Sequence, residues 1–268
     1  MNGRAAHYAT RAGLFGVLLA VMIYFGYKII EDPSNQIFGT TVVSGPLGQR
    51  VVALTYDDGP NPPYTDRILD VLKKENVHAT FFVVGLAVQA HPQTLRRTNH
   101  EGHAIGNHTW DHPHLVMLSR AQIHTQLMRT DATLQRVAGV RTRLMRPPFG
   151  ARDWEVLDET RRLGYTVVMW SVPLPKDWQL PGDTTIARRV LSHVQDGSII
   201  VLHDGNRGLS CGGGKRSDPR VCDRSQDVGA TRLIVESLKR EGYRFVTIPE
   251  LMALGRDVAK RKPGHGTE

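Results

Sequence analysis

The chain has 268 residues, a hydrophobic fraction of 40% and a formal net charge of +8. This size and apolar content allow one sizeable core, as in a single large α/β domain, and the absence of long repeats excludes a repeat array. The positive charge is equally consistent with an anionic envelope polymer or membrane surface as partner and with a basic surface that only keeps the protein soluble.

The N-terminal region contains an apolar stretch that carries no charge from Ala12 to Tyr27. It reaches the roughly 20 residues of a bilayer span if Lys28 snorkels and the next two residues are included. Arginines precede the stretch and acids follow it, so the positive-inside rule places the N-terminus in the cytoplasm. We therefore expect a cytoplasmic stub and transmembrane anchor over residues 1–30, with the remaining chain outside the cell membrane. A cleaved secretory signal is the alternative, although no small-x-small cleavage site follows.

A short polar linker is expected over residues 31–48, and β-like and helix-like segments alternate after it. The strand candidates are residues 51–57, 79–85, 103–109, 143–149, 166–172, 198–204 and 244–250, and the helix candidates are 65–76, 120–137, 154–164 and 231–242. Short and nearly continuous apolar runs are typical of buried parallel strands. The alternation therefore predicts a parallel (β/α) barrel of about seven units over residues 49–254. The basic tail, residues 255–268, is expected to be disordered.

The two cysteines, Cys211 and Cys222, flank a glycine-rich polar segment. In an oxidising compartment, a disulfide that closes this loop is the favoured interpretation. Two unrelated free thiols are an alternative, and a zinc site is a weaker one because no further ligand pair lies nearby.

Polar residues that could take part in catalysis or metal binding follow the ends of the predicted strands. They are Asp57 and Asp58 after the first strand, His108 and His112 after the third, Arg146 after the fourth, Asp177 and Trp178 after the fifth, and His203 after the sixth. In parallel β/α folds the C-terminal ends of the strands form the rim on which catalytic residues collect. Unrelated surface turns would not be expected to fall on one rim, so these residues are candidates for a shared site.

His108 and His112 are spaced so that two imidazoles can meet one ion. Pro113 disfavours a helix at His112, which favours a turn. With one carboxylate from the first strand, the pair forms a two-histidine, one-aspartate set that leaves positions open for water and substrate. The sequence therefore predicts a divalent metal ion, with zinc as the first choice and other ions possible.

The adjacent aspartates can divide two tasks at such a site. One carboxylate binds the metal, and its neighbour can accept a proton from a water whose pKa zinc lowers to about 7. Hydrolysis also needs an acid for the leaving group; His203 is the candidate and Asp204 the alternative. Arg146 either pairs with the base and keeps it ionised or forms a structural salt bridge.

The segments TYDDGP, HTWDHP, RPPFG, DW and VLHD resemble, in their order and spacing, the motifs of the polysaccharide deacetylases, carbohydrate esterase family four. The resemblance extends from about residue 51 to about residue 254. It implies a distorted (β/α) barrel, so that residues 49–254 form the catalytic domain. It also implies metal-dependent removal of an N- or O-linked acetyl group from a glycan.

The resemblance implies a role for each motif residue. These roles are catalytic base for Asp57, metal ligand for Asp58, His108 and His112, orientation of the base for Arg146, and general acid for His203. It further implies substrate contacts from Pro148, from Phe149 (whose N–H stabilises the oxyanion), and from Trp178 and Leu202 as apolar walls around the acetyl methyl group.

The fourth motif departs from the family pattern. The family usually has an aspartate where this chain has Pro173, and the segment is one residue longer here. Because the missing aspartate commonly partners the catalytic histidine, the pKa of His203 depends on a substitute. We consider Asp177, shifted inward, as that substitute.

Together these features predict a membrane-anchored, metal-dependent N-deacetylase that acts on N-acetylglucosamine-type residues of peptidoglycan. A chitooligosaccharide or poly-N-acetylglucosamine deacetylase and an acetylxylan esterase are alternatives with the same site. A glycan-binding module whose catalysis has decayed is the alternative of another class, which Pro173 keeps open. Nucleic acid is not expected as a partner outside the cell.

Overall fold

The computed structural model describes residues 28–206 and 223–261, together with Phe15, Val17, Val21, Met22, Tyr24 and Gly26; the side chains of residues 258–261 are not described. Within these residues, no helix combines the length and the apolar character that a membrane crossing requires. Most of the predicted anchor lies outside the described residues and stays a prediction. The predicted disulfide between Cys211 and Cys222 also lies outside them.

Seven parallel strands form one barrel-like sheet. They are β1 (Val51–Asp57), β2 (Thr80–Val83), β3 (Ala104–Asn107), β4 (Leu144–Met145), β5 (Thr166–Val167), β6 (Ile199–His203) and β7 (Arg244–Phe245). Their order is β5-β4-β3-β2-β1-β6, and β7 pairs with the first residues of β1. Hydrogen bonds join the two edge strands, β5 and β6. The N–H groups of Ser171 and Val172, which follow β5, donate to the carbonyl of Ile199 in β6 at 3.2 and 3.4 Å. The parallel β/α fold predicted from the alternation is thus confirmed.

Eight α-helices surround the sheet in the described part of the chain, in addition to three short 3-10 helices and a helix that ends at Glu31. They are α1 (Tyr64–Lys74), α2 (Gly85–Ala90), α3 (Pro92–His100), α4 (Arg120–Ala138), α5 (Trp154–Arg162), α6 (Asp183–Leu191), α7 (Ser225–Arg240) and α8 (Ile248–Arg261). The structure has a helix at each of the four predicted positions. Helices α2, α3, α6 and α8 were not predicted.

The C-terminal end of the domain differs from the prediction. The predicted strand over 244–250 ends at Phe245, and α8 begins at Ile248 and continues to Arg261. The predicted disorder is therefore wrong for residues 255–261. The physical reason is that Ile248, Leu251 and Met252 recur at helical spacing and pack into the core.

The predicted linker packs against the sheet. Val42 forms a parallel bridge with Val168, and the Gly45 N–H donates to the Gly197 carbonyl at 2.7 Å. Residues 31–48 are therefore part of the folded domain and cover the region between β5 and β6.

Alternation of side chains along β1 creates two cores. Val52, Leu54 and Tyr56 pack into the cluster that contains the apolar faces of α1, α6 and α7. Val51 and Ala53 belong to a second cluster, on the opposite face of the sheet. Because side chains of a strand alternate between its two faces, Asp57 points to the same side as Val51 and Ala53. The catalytic candidate thus ends β1 inside the barrel-like rim.

Candidate functional site

Asp58, His108 and His112 form a compact cluster at the C-terminal rim. Asp58 Oδ1 lies 3.5 Å from His108 Nε2 and 3.2 Å from His112 Nε2. All three side chains are almost fully buried, and their potential ligand atoms lie within 4.8 Å of one another. Two imidazole nitrogens and one carboxylate oxygen at this spacing are a donor set that fits a divalent metal ion.

Unusual backbone conformations place two of these ligands. The φ angle is 78° at Asp58 and 59° at His112, in the left-handed region that non-glycine residues rarely adopt. In a regular strand, Asp57 and Asp58 would face opposite sides; the left-handed turn at Asp58 brings both carboxylates to one site. A Cβ atom at Gly205 would lie 2.3 Å from the Asp58 carbonyl, so this turn also requires a glycine opposite it.

The hydrogen bond of His108 determines which of its ring nitrogens faces the cluster. His108 Nδ1–H donates to the main-chain carbonyl of Arg146 at 2.7 Å. A carbonyl only accepts, so Nδ1 carries the proton and Nε2 keeps its lone pair for the ion. Burial alone would raise the pKa of Asp58, but His112 and His108 outweigh burial and hold it well below its usual range. The cluster therefore contains an ionised carboxylate and an imidazole lone pair ready to bind.

Arg146 fixes the neighbouring carboxylate, Asp57. The fully buried guanidinium donates to Asp57 Oδ1 at 2.6 Å and to Thr55 Oγ1 at 2.9 Å. It also donates to two main-chain carbonyls after β5, at 3.1 and 3.0 Å. Asp57 Oδ2 remains on the side of the metal cluster, 4.0 Å from His108 Nε2. One oxygen of Asp57 is thus held by an ion pair, and the other faces the site.

His203 pairs with Asp177 on the same rim. His203 Nδ1 lies 2.9 and 3.0 Å from the two carboxylate oxygens, and the His203 N–H donates to Asp177 Oδ2 at 2.7 Å. Burial alone would lower the pKa of His203, but Asp177, with smaller contributions from Asp58 and Asp57, raises it to about 9. Asp177 thus pairs with His203 in place of the aspartate that the family usually has where this chain has Pro173. The Nε2 atom of the cationic imidazole remains available to a substrate.

A second buried carboxyl group, Asp227 on α7, lies behind Asp177 and was missed in the sequence. Neither of its carboxylate oxygens has an N–H or O–H donor among the described residues, yet it is within hydrogen-bonding reach of Asp177. Two carboxyl groups can share a hydrogen bond only if one is protonated. Burial and the charge of Asp177 raise the pKa of Asp227 well above its usual range, so Asp227 is the donor. An acid on the apolar stripe that includes Ala230 and Ile234 was the available signal.

The site opens into a pocket of about 450 Å³. Trp178 is 41% exposed at its wall, and its ring meets the His203 ring edge-on at 5.4 Å. The Phe149 ring stacks on His114 at 3.7 Å and contacts the His112 ring at 4.7 Å. A larger groove of about 970 Å³ is lined by Phe38, Trp154 and others, but by none of the proposed ligands or catalytic groups, so the chemistry assigns the site to the smaller pocket.

Two residues predicted to contact substrate do not line this pocket. Leu202 is fully buried between the sheet and the helices, because alternation along β6 turns it outward and turns Val201 toward the pocket. Pro148 is also buried, and its neighbours Pro147 and Phe149 form the wall. Glu31, from the predicted linker, is a lining residue that the motifs did not indicate.

Comparisons with known proteins agree with this site. The family model for polysaccharide deacetylase matches residues 44–168. A peptidoglycan-N-acetylglucosamine deacetylase of Bacillus cereus is 35% identical over 208 residues, covering 77% of this chain and 90% of that protein. A chitooligosaccharide deacetylase of Bradyrhizobium sp. is 37% identical over 205 residues, covering 76% and 91%.

The fold gives the same result. The crystal structure of the Bc1960 peptidoglycan N-acetylglucosamine deacetylase matches with a TM-score of 0.70 and 36% identity, covering 79% of this chain and 92% of that chain. Sequence, fold and rim chemistry therefore lead to one conclusion: this chain belongs to the polysaccharide deacetylase family, carbohydrate esterase family four, and is a metal-dependent hydrolase.

Proposed function

We propose that this polysaccharide deacetylase removes N-acetyl groups from N-acetylglucosamine-type residues of peptidoglycan. One observation carries the mechanism: the Arg146–Asp57 and Asp177–His203 pairs flank the same cluster of three ligand residues. A base and an acid beside one metal site are what amide hydrolysis requires. The substrate is supported by the peptidoglycan deacetylases among the relatives.

Asp58, His108 and His112 would hold the metal ion. Zinc is the proposed ion, because two imidazoles and one carboxylate with open positions form a ligand set common in catalytic zinc sites. When bound, the ion polarises the acetyl carbonyl and lowers the pKa of a water.

The chain's own residues carry the proton transfers. Asp57 Oδ2 accepts a proton from the attacking water, because Oδ1 is occupied by Arg146. The water oxygen bonds to the acetyl carbon, and the carbon–nitrogen bond then breaks. His203 donates its Nε2 proton to the departing nitrogen, so the products are acetate and a sugar amine. Asp177 holds the imidazole through Nδ1 and the main chain during this step.

The pocket walls position the acetyl group. We assign the Phe149 N–H to the developing oxyanion and the exposed Trp178 ring to the acetyl methyl group. Val201 takes the apolar role first given to Leu202, because its side chain faces the pocket.

We further propose that the domain works outside the cell membrane, anchored by residues 1–30. The support is the apolar stretch with arginines before it and acids after it. A chitooligosaccharide deacetylase is the second candidate function, favoured by the relative of that name.

Acetate release by the purified full-length protein tests the proposal. The substrates are peptidoglycan, chitin oligomers and acetylxylan, each with added zinc, and Asp58→Ala is the control. We expect release from peptidoglycan and none from the variant. No release from any substrate despite bound metal would refute the proposed function, and release that survives Asp58→Ala would refute the metal assignment.

A further inference from the structure

The segment over residues 28–35 ends a helix directly beside the catalytic pocket. The Asp32 N–H closes its last turn by donating to the Lys28 carbonyl at 3.0 Å. The Ile29 carbonyl accepts from Asn35 Nδ2 at 2.8 Å, and the Ile30 carbonyl accepts from the Arg152 N–H at 3.3 Å. Carbonyls at a helix end need such partners, so this end is bound to the loop that follows the RPPFG motif.

Arg152 holds the segment against the pocket. Its side chain is 1% exposed and donates to the carbonyls of Asp32 and Asn35 at 2.8 and 2.6 Å. It also donates to the Gly150 carbonyl at 3.0 Å. A buried guanidinium needs several acceptors, and here they come from both chain segments. Because Gly150 follows Phe149, one side chain joins the helix end to the wall of the site.

This attachment brings Glu31 into the pocket wall. Glu31 is one of the residues that line the pocket, as are Asp57 and Asp58, and its carbonyl would lie 3.4 Å from a Cβ atom at Gly150. Asp57 is paired with Arg146, and Asp58 faces two histidines. By contrast, no ion pair or hydrogen bond engages the Glu31 carboxylate within the described parts of the chain. The Glu31 carboxylate is thus an acceptor, on a residue of the pocket wall, that the described part of the fold does not use.

We propose that Glu31 contacts the substrate by accepting hydrogen bonds from the glycan, and that Arg152 is its positioning residue. The proposal rests on the function proposed above. A carboxylate only accepts, so its partners are sugar hydroxyls or the ammonium group of a sugar that has already lost its acetyl group. Charge-assisted hydrogen bonds are about twice as strong as neutral ones, so either partner contributes to binding.

Two oligomers distinguish the two donors. KM is measured by acetate release from the fully acetylated chitin tetramer, and Kd is measured by calorimetric titration with the fully deacetylated tetramer, which is not turned over. If hydroxyls are the donors, Glu31→Ala weakens both by about tenfold, while Glu31→Gln, which still accepts but carries no charge, weakens both by only about threefold. If the ammonium group is the donor, both variants weaken only the deacetylated tetramer, by about tenfold.

The matched control is Asp32→Asn. Asp32 is the adjacent acid, but its carboxylate accepts from the Ser34 N–H and hydroxyl and does not line the pocket. KM and Kd of Glu31→Ala within about twofold of the unmodified protein would overturn the proposal. If the zinc-loaded protein releases no acetate, the proposed function fails, and the titration still decides the role of Glu31.

Arg152→Lys tests the positioning role. One ammonium cannot satisfy the same carbonyls, so we expect KM to rise with little change in kcat. The double variant with Glu31→Ala should be no worse than Glu31→Ala alone, because Arg152 acts on binding through the Glu31 contact. Additive losses would show a merely structural role for Arg152. If Arg152→Lys fails to fold, the Glu31 variants alone decide the proposal.

Discussion

Asp177 accepts hydrogen bonds from both the ring and the main chain of His203, at 2.9 and 2.7 Å. Since the same carboxylate raises the pKa of His203 to about 9, the acid of the reaction is already protonated at neutral pH. A dication held by Asp58, His108 and His112 would lower this pKa somewhat, because it would add positive charge to the same site.

Replacing Asp177 with asparagine should move the basic limb of the pH–rate profile to lower pH. His203 acts in its protonated form, so activity is lost as pH rises through its pKa, and loss of the carboxylate lowers that pKa. We expect a shift of at least about one pH unit and a loss of about a hundredfold or more in kcat at neutral pH. The measurement is kcat/KM for acetate release across the pH range. Unmoved limbs would contradict the assignment.

Asp227 should tolerate asparagine but not leucine. As a protonated donor to Asp177, it can be replaced by an amide that also donates, so Asp227→Asn should keep activity within about threefold. Asp227→Leu removes the donor, which raises the pKa of Asp177 and weakens its support of the His203 cation. Acetate-release kinetics of the two variants test this prediction, and their melting temperatures serve as a folding control. Equal damage from both would show that Asp227 acts as an anion.

Arg146→Met should impair the base while sparing the metal. The change leaves Asp57 buried without its ion-pair partner, which should cost about 3–5 kcal/mol in the free energy of unfolding. The kcat should fall by about a hundredfold. The main-chain carbonyl that accepts from His108 remains, so zinc affinity should stay close to that of the unmodified protein. Denaturant unfolding and zinc titration measure the two effects, and a large loss of zinc affinity would argue against this division.

Zinc should raise the melting temperature through Asp58, His108 and His112. A ligand at about 100 times its Kd stabilises the native state by about 2.7 kcal/mol. Chelation should reverse the increase, and His112→Ala should abolish it. His78→Ala, which removes an exposed histidine elsewhere, is the matched control. A shift that persists in His112→Ala would place the ion at another site.

The residues of the rim were predictable because each of them lies in a short motif at the end of a predicted strand. The strand predicted at 51–57 is identical with β1. Because the C-terminal ends of parallel strands lie at one edge of the sheet, the prediction also placed Asp57, His108, Arg146 and His203 together at that edge. The division between the paired aspartates also follows from adjacent residues, although the left-handed turn that permits it is visible only in the structure.

The remaining differences depend on long-range packing. Leu202 and Val201 are both apolar, and only the direction of β6 relative to the pocket distinguishes them. Glu31 and Asp227 lie far along the chain from the residues they approach, so no spacing rule connects them. Helix α8 was read as a strand and a tail because its apolar residues gain a partner only in the assembled core.

The bound end of the N-terminal helix has a mechanical consequence. If residues 1–30 form the proposed anchor, Glu31 marks both the edge of the bilayer and the wall of the pocket. The described end of the helix, residues 28–31, would then be held against the catalytic domain, because Asn35 and Arg152 bind the carbonyls of Ile29 and Ile30. The height of the pocket would be set at the membrane surface, and the enzyme would work on the glycan layer closest to the bilayer.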